Sequence, residues 1–182
     1  MDLGNVLIFG GTGMLAEATE WIATHSTTAV IYGRDTRKLE RLANTHGVVP
    51  ETLDYNNINE VKEQVTHAYE KYGSIDMVVA WIHSTSPHAI SEIKDTIRKL
   101  QPDHQWTLIV VKGSSKVSDI TGREQQGPDN CSVKEVRLGF ILSESGWRWL
   151  THEEISGGVI QAITGNDEEI TVGRLEPWEK RQ

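Results

Sequence analysis

Three closely spaced glycines near the start of the chain have the spacing of a phosphate-binding turn. Gly10, Gly11 and Gly13 follow an apolar run at residues 6–9 and precede a helix-like apolar pattern. Glycine lets a backbone approach a pyrophosphate closely, because no side chain stands in the way. A helix that begins here offers free amides and the positive end of its dipole to the anion. The sequence predicts a dinucleotide-binding turn, with a purely steric turn as the alternative. The expected backbone contacts are Gly10, Gly11, Thr12, Gly13, Met14 and Leu15.

The end of the second predicted strand carries a glycine and an arginine, Gly33 and Arg34. Enzymes that select NAD place an acidic residue at this position to bind the ribose 2′-hydroxyl. A glycine instead leaves room for a 2′-phosphate, and a guanidinium binds a phosphate through two parallel hydrogen bonds. NADP(H) is therefore predicted as the preferred cofactor over NAD(H), with a solvated arginine as the alternative. Arg37 and Lys38 add positive charge nearby or are simply surface residues.

Length and composition exclude several classes of protein. The chain has 182 residues and a net charge of −8, and this charge gives no support for binding nucleic acid. The lone cysteine, Cys131, forms no internal disulfide and suits a reducing cytosol. No apolar run approaches the roughly 20 residues of a membrane span, the first residues do not resemble a signal peptide, and no cluster has metal-ligand spacing. We expect a cytoplasmic protein that binds neither nucleic acid nor membranes.

Apolar runs alternate with helix-like patterns along the chain. Strands are predicted at residues 6–9, 27–32, 48–53, 75–82, 106–111, 133–142 and 170–175, and helices at 14–25, 36–44, 58–72, 90–100 and 151–163. Such alternation predicts a parallel sheet covered on both faces. The polar stretch 116–131 is predicted to be a flexible loop. The expected fold is α/β, a Rossmann-like, doubly wound parallel sheet in one domain over residues 1–182.

Four further segments, in the correct order, resemble the short-chain dehydrogenase/reductase family. Residues 30–42 are similar to that family's second strand and following helix, and residues 70–79 to the start of its fourth strand. Residues 110–115 resemble its fifth strand and the serine that follows, and residues 151–159 its last helix. The resemblance implies a nicotinamide dinucleotide cofactor and oxidoreductase activity on a small carbonyl or alcohol.

The resemblance also implies roles for residues at the ends of two other strands. Asp54 is similar to the family's adenine-contacting acid, with a part in starting the next helix as the alternative. Ala80, Trp81 and Ile82 end the fourth predicted strand and are expected to pass under the ribose through backbone contacts. Trp81 is interpreted either as a core residue or as a stacking platform.

The chain departs from the family's pattern in the residues of catalysis. Family reductases use a Tyr-x-x-x-Lys pair on a helix after the fifth strand, in which the lysine lowers the pKa of the tyrosine. The tyrosines of this chain all precede that strand: Tyr32, Tyr55, Tyr69 and Tyr72. Few residues separate Ser115 from Ser132, so the helix that carries the pair is predicted to be missing and the C-terminal half shortened. Lys134 is then expected on or beside the sixth strand.

The remaining candidates for catalysis are Ser115, which matches the family's serine, and His83 and His88, which flank the predicted mouth of the site. A serine can orient a carbonyl, and a histidine can exchange a proton near neutral pH, although lone histidines are commonly structural. Two functions follow from these residues. The first is an NADP(H)-dependent oxidoreductase of unidentified substrate, and the second is a non-catalytic dinucleotide sensor or interaction module. The sequence does not specify the oligomeric state.

Overall fold

The computed structural model describes residues 1–82, 86–113 and 129–176. Its strands are β1 (Asn5–Phe9), β2 (Thr28–Gly33), β3 (Val49–Thr52), β4 (Met77–Ala80), β5 (Trp106–Lys112), β6 (Cys131–Leu138), β7 (Phe140–Ser143), β8 (Gly146–Trp149) and β9 (Glu169–Val172). Its helices are α1 (Ala16–Thr24), α2 (Thr36–His46), α3 (Ile58–Tyr72), α4 (Ala89–Leu100) and α5 (His152–Thr164). Seven parallel strands form the main sheet in the order β3-β2-β1-β4-β5-β6-β9. This arrangement confirms the predicted Rossmann-like fold.

Strand β1 lies inside the sheet and contributes to an apolar layer on each face. Side chains alternate along a strand, so Val6 and Ile8 belong to the cluster that contains residues of α1, α2 and α5. Leu7 and Phe9 belong to the cluster that contains residues of α3 and α4. Burial on both faces explains why this strand is apolar at consecutive positions.

Helix α2 begins directly after Arg34 because a side chain caps its first turn. The carboxylate of Asp35 accepts hydrogen bonds from the amides of Arg37 and Lys38, at 3.1 and 3.2 Å. The helix ends at Gly47, whose φ of +70° is the left-handed conformation that favours glycine. The two caps set the ends of α2, and its buried residues, Leu39 and Leu42, pack in the same apolar cluster as residues of α1.

The predicted strand at residues 133–142 is wrong in its second half. Strand β6 ends at Leu138, and β7 instead pairs antiparallel with β8 in a separate two-stranded sheet. Phe140 and Arg174 exchange two backbone hydrogen bonds of 2.9 and 2.7 Å, which bring the two chain segments together beside Gly139. A Cβ at Gly139 would stand 2.1 Å from the carbonyl oxygen of Arg174. This close approach redirects the chain after β6.

The segment before β6 falls partly outside the described residues, which resume at position 129. Cys131, the last residue of the predicted loop 116–131, begins β6. Asn130 is buried, and its Nδ2 donates to the carbonyl oxygens of Gln101 and His104. Lys134 lies within β6, as predicted, and its Nζ donates to the carbonyl oxygens of Ala162 and Gly165 at the end of α5. It therefore supports the end of α5.

In the part of the chain that the structure describes, no helix combines the length and the apolar character needed to cross a membrane.

Candidate functional site

A cavity of about 250 Å³ lies at the carboxyl ends of four strands. Its lining comes from the segments that follow β1, β2, β3 and β4: Gly10, Thr12, Gly13, Met14, Gly33, Arg34, Tyr55, Trp81 and Ser86. The strand order reverses between β1 and β4, since β1 pairs with β2 on one side and with β4 on the other. In open parallel sheets, ligands bind in the crevice at this reversal of strand order.

Two of the three glycines in the turn are required by the protein's own packing. Gly10 has a φ of +83°, and a Cβ there would stand 2.3 Å from the carbonyl oxygen of Trp81. A Cβ at Gly11 would stand 2.5 Å from Thr19 Oγ1 and 2.6 Å from Ile8 Cγ2. All three distances are far below van der Waals contact, so these two glycines let β1, β4 and α1 approach one another.

Gly13 is different, because nothing in the described structure requires a glycine there. Its φ is not positive, and a Cβ at this position would meet no described atom within 4 Å. Gly13 nevertheless lines the cavity. A small side chain at position 13 would therefore clash with no described residue, and only a ligand in front of the turn would exclude it.

The backbone of the turn also offers hydrogen-bond donors. The amides of Thr12, Met14 and Leu15 donate no hydrogen bond within the described part of the chain, and no side chain caps the N-terminus of α1. Thr12 and Met14 line the cavity. Amides without an acceptor at the start of a helix form an anion site. The turn therefore fits the diphosphate of a dinucleotide through its open space and its free donors.

Helix α5 supports this turn from behind. The buried hydroxyl of Ser156 accepts a hydrogen bond of 3.1 Å from the amide of Ala18 and donates one of 3.3 Å to the carbonyl oxygen of Met14. One hydroxyl thus connects both sides of the start of α1. Because the hydroxyl already accepts from the Ala18 amide, that donor is not available to an anion.

Arg34 is the cation of this cavity. Its side chain is exposed and forms no ion pair within the described residues, while the nearby carboxylate of Asp35 is occupied by the amides that it caps. A Cβ at Gly33 would meet Thr12 Cγ2 at 3.4 Å, which is ordinary contact. The guanidinium is therefore available to a ligand that lies between the turn and the end of β2.

Tyr55 and Ser86 also line the cavity, and neither was predicted as a site residue. The hydroxyl of Tyr55 donates to the carbonyl oxygen of Tyr32 at 2.8 Å. Burial raises its pKa to about 12, against smaller lowering effects of the Gly10 backbone and of the charge of Arg34. Ser86 is buried, and its hydroxyl bonds to Asn56 Oδ1 at 2.8 Å. Tyr55 comes directly after Asp54, so its place near the end of a predicted strand was a signal that could have found it.

Of the other predicted cofactor contacts, Trp81 lines the cavity, and Gly11, Leu15, Asp54, Ala80 and Ile82 lie around it without lining it. Gly11 and Leu15 are buried behind the turn, Ala80 is buried at the end of β4, and Ile82 is partly buried against the second core cluster. Asp54 is exposed, and its carboxylate accepts a hydrogen bond from the amide of Asn56 before α3 begins. Trp81 lines the cavity and also packs against the first core cluster.

The predicted catalytic residues are not brought together by the described structure. His88 is exposed at the start of α4 and does not line the cavity. His83 and Ser115 lie outside the described residues. Tyr55 is a tyrosine inside the site, but its raised pKa and its hydrogen bond to Tyr32 are opposite to what a proton-donating tyrosine needs.

None of the protein-family models matches the sequence, and no curated protein matches it. Several solved structures match the fold closely. An alcohol dehydrogenase from the archaeon Thermococcus sibiricus, complexed with 5-hydroxy-NADP, has a TM-score of 0.68 at 16% identity, covering 92% of this chain and 95% of that chain. A beta-ketoacyl-[ACP] reductase from Bacteroides thetaiotaomicron has a TM-score of 0.70 at 12% identity, covering 95% and 97%.

A third structure comes from Aeromonas hydrophila and is provisionally assigned as a short chain dehydrogenase/reductase family oxidoreductase. It has a TM-score of 0.68 at 14% identity and covers 96% of this chain and 100% of that chain. Matches over nearly the whole length of both chains extend the similarity beyond the first strands. The chain has the fold of the short-chain dehydrogenase/reductase structures.

Proposed function

We propose that this chain is an NADP(H)-binding oxidoreductase of the short-chain dehydrogenase/reductase type. The observation that carries the proposal is the cavity at the end of β1, where the open space in front of Gly13 faces free amides and the guanidinium of Arg34. A similar structure, the T. sibiricus alcohol dehydrogenase, contains 5-hydroxy-NADP. Together they support a dinucleotide ligand, and Arg34 favours the 2′-phosphorylated form.

Each part of the cavity has one task in this proposal. The amides of Thr12 and Met14 bind the diphosphate, which the absence of a side chain at Gly13 lets approach. Arg34 binds the 2′-phosphate, which the absence of a carboxylate at Gly33 accommodates. Trp81 and Tyr55 provide flat walls beside the nucleoside. When bound, the nicotinamide supplies or accepts a hydride.

The residues that we propose to act on the substrate do not line the cavity. We retain Ser115, with His83 or His88, as the candidate set that orients a small carbonyl or alcohol and exchanges its proton. The proposed setting is the reducing cytosol, to which a chain with one cysteine is suited. One domain over residues 1–182 is part of the same proposal.

Paired titrations with NADPH and NADH test the cofactor claim. Arg34→Ala is expected to weaken NADPH binding by about 10- to 100-fold, because a hydrogen-bonded charge pair is lost, and to change NADH binding by less than about twofold. Arg37→Ala is the matched control, because this exposed cation lines neither this cavity nor the one between α1 and α2. Equal losses for both cofactors, or no binding of either at millimolar concentration, contradict the proposal.

A non-catalytic dinucleotide sensor is the second candidate, favoured by the position of the tyrosines. No tyrosine follows Tyr72 in the sequence, and Tyr55 is held as a hydrogen-bond donor to the backbone. Multiple-turnover oxidation of NADPH with a panel of aldehydes and ketones separates the two. Sustained turnover that Ser115→Ala abolishes supports the enzyme, whereas tight NADPH binding without turnover across the panel supports the sensor.

A further inference from the structure

A second cavity, of about 300 Å³, lies between α1 and α2, beside the first cavity at the carboxyl ends of the strands. Its wall combines residues of the turn and α1 with one face of α2: Thr12, Ala16, Glu20, Lys38, Arg41, Leu42, Thr45 and His46. Thr12 also lines the first cavity. The two cavities are therefore neighbours that share a wall.

The charge of this second cavity is predominantly positive. Neither Lys38 nor Arg41 forms an ion pair within the part of the chain that the structure describes. The carboxylate among the lining residues, Glu20, is already engaged by His46 at 3.0 Å. In a chain whose net charge is −8, two cations without a protein partner on one cavity wall favour an anionic ligand.

Side chains, rather than the backbone amides at the N-terminus of α2, must bind such a ligand. Asp35 already accepts from the first-turn amides of this helix, so those donors are not available to an anion. Lys38 and Arg41 lie three positions apart and therefore share a helix face. The hydroxyl of Thr12 adds a hydrogen-bonding group to the same wall, whereas the hydroxyl of Thr45 already donates to the carbonyl oxygen of Arg41. Two cations with a hydroxyl match a phosphate dianion better than a singly charged carboxylate.

We propose that the cavity between α1 and α2 binds a phosphomonoester group through Lys38 and Arg41. The phosphate has two possible sources, the 2′-phosphate of a dinucleotide that passes Thr12, or a separate phosphorylated metabolite. In the first case the inference deepens the proposed function, because Lys38 and Arg41 then act with Arg34 in selecting NADP(H). In the second case the site stands whether or not a dinucleotide binds.

The first experiment measures inorganic phosphate on the protein alone, from the ³¹P line width. We expect broadening with the wild-type protein and a clear reduction of it in the double variant Lys38→Gln/Arg41→Gln; phosphate at the turn and Arg34 accounts for what remains. Arg37→Gln is the control, since it removes one charge from the same helix outside the cavity. A double variant that broadens the line as much as the wild-type protein, or an equal reduction by Arg37→Gln, overturns the proposal.

The second experiment identifies the source of the phosphate. If the 2′-phosphate occupies the site, NADPH displaces inorganic phosphate, and the double variant binds NADPH at least tenfold more weakly with NADH binding unchanged. If a separate metabolite is the ligand, phosphate remains bound beside NADPH and the double variant keeps its NADPH affinity. Circular dichroism of the variants verifies folding. Because the phosphate measurement needs no dinucleotide, the inference and the proposed function fail independently.

Discussion

At the scale of single residues, the turn after β1 shows that three glycines in one motif have three different physical reasons. Gly10 has a backbone conformation that other residues rarely adopt, and Gly11 lies where Ile8 and Thr19 leave no room for a Cβ. Gly13 has neither constraint. Of the three, only Gly13 can therefore be substituted to test ligand binding without a clash inside the fold.

We predict that Gly13→Ala weakens NADPH binding by at least about tenfold while changing the free energy of unfolding by less than about 0.5 kcal/mol, as for an unconstrained surface position. The new methyl group projects into the space where the diphosphate would lie. Gly11→Ala is the comparison, and overpacking against Ile8 and Thr19 is expected to cost about 1–3 kcal/mol. Calorimetric titration and urea unfolding measure the two effects.

Two outcomes would contradict this prediction. If Gly13→Ala leaves NADPH affinity unchanged, the turn is only steric and the diphosphate does not contact it. If Gly13→Ala instead unfolds the protein as easily as Gly11→Ala, the distinction between packing and binding glycines is wrong.

The residues of the site were predictable where strand ends and glycines indicated them. Gly10, Thr12, Gly13, Met14, Gly33, Arg34 and Trp81 were named from the sequence, and all line the cavity. Tyr55 was not named, although it directly follows Asp54 at the end of a predicted strand; the sequence did not show its long-range hydrogen bond to the backbone of Tyr32. The pairing of α1 with α2 that forms the second cavity was equally invisible, since helical periodicity gives a buried face but not the neighbour that covers it.

At the scale of elements, each strand of the main sheet was predicted within a few residues of its position. Apolar residues stand on both sides of Gly139 within the segment 133–142 that was predicted as one strand, so hydrophobicity alone could not show that the chain leaves the sheet there. The turn residues 143–146 and the alternation of Trp147, Arg148 and Trp149 were local signals for the β7–β8 hairpin. The missing information was the contact with Arg174.

One ion pair connects this hairpin to α5. Arg148 forms two hydrogen bonds with the carboxylate of Glu154, at 3.1 and 2.9 Å, and Glu154 also accepts from the amide of Thr151 in a capping box. The Arg148 side chain is the larger cause, and the Thr151 amide the second, of a Glu154 pKa lowered to about 2. A depressed carboxyl pKa contributes stability above its usual value of 4.5, and this contribution is lost as the pH falls towards 2.

We predict that Arg148→Ala raises the pKa of Glu154 above 2 without restoring its usual value, because the bond from Thr151 remains. The same variant is expected to lose less stability than the wild-type protein as the pH falls from 4.5 to 2. Carboxyl chemical shifts from NMR titration measure the pKa directly. Since both side chains are partly exposed, high salt should diminish the difference.

The matched control is Arg98→Ala, which removes an exposed arginine from an ion pair with Asp95 on α4. It should leave the Glu154 titration unchanged. A Glu154 pKa that stays near 2 in Arg148→Ala shows that the capping box alone sets it, and that the hairpin is not held to α5 by this pair.

At the scale of the whole molecule, the C-terminal half reaches back to the turn after β1 through Ser156. Its hydroxyl connects α5 with the Met14 carbonyl and the Ala18 amide, across more than a hundred residues of sequence. Binding at the turn and folding of the C-terminal half are therefore linked. A ligand that binds only the folded state stabilises it in proportion to the logarithm of its concentration over Kd.

We predict that Ser156→Ala lowers the free energy of unfolding by about 1–3 kcal/mol, because the buried Ala18 amide loses its acceptor. For a chain of this length this corresponds to a fall in Tm of about 2–12 °C. NADPH at 100 times its Kd should raise the Tm of the wild-type protein by about 5–10 °C, from a linkage of about 2.7 kcal/mol. At that same NADPH concentration the Tm of the variant should rise by less. The variant lacks the hydroxyl that connects Met14 and Ala18 at the start of α1, so the turn is held less firmly.

Ser143→Ala is the control, because this exposed hairpin serine lies in β7, outside both cavities. It should reproduce the wild-type Tm and the wild-type NADPH shift. If Ser156→Ala lowers the Tm but gains the full NADPH shift, Ser156 supports folding alone and the turn holds its binding shape without α5. If NADPH shifts neither protein, the dinucleotide does not bind, and the glycine turn is only steric.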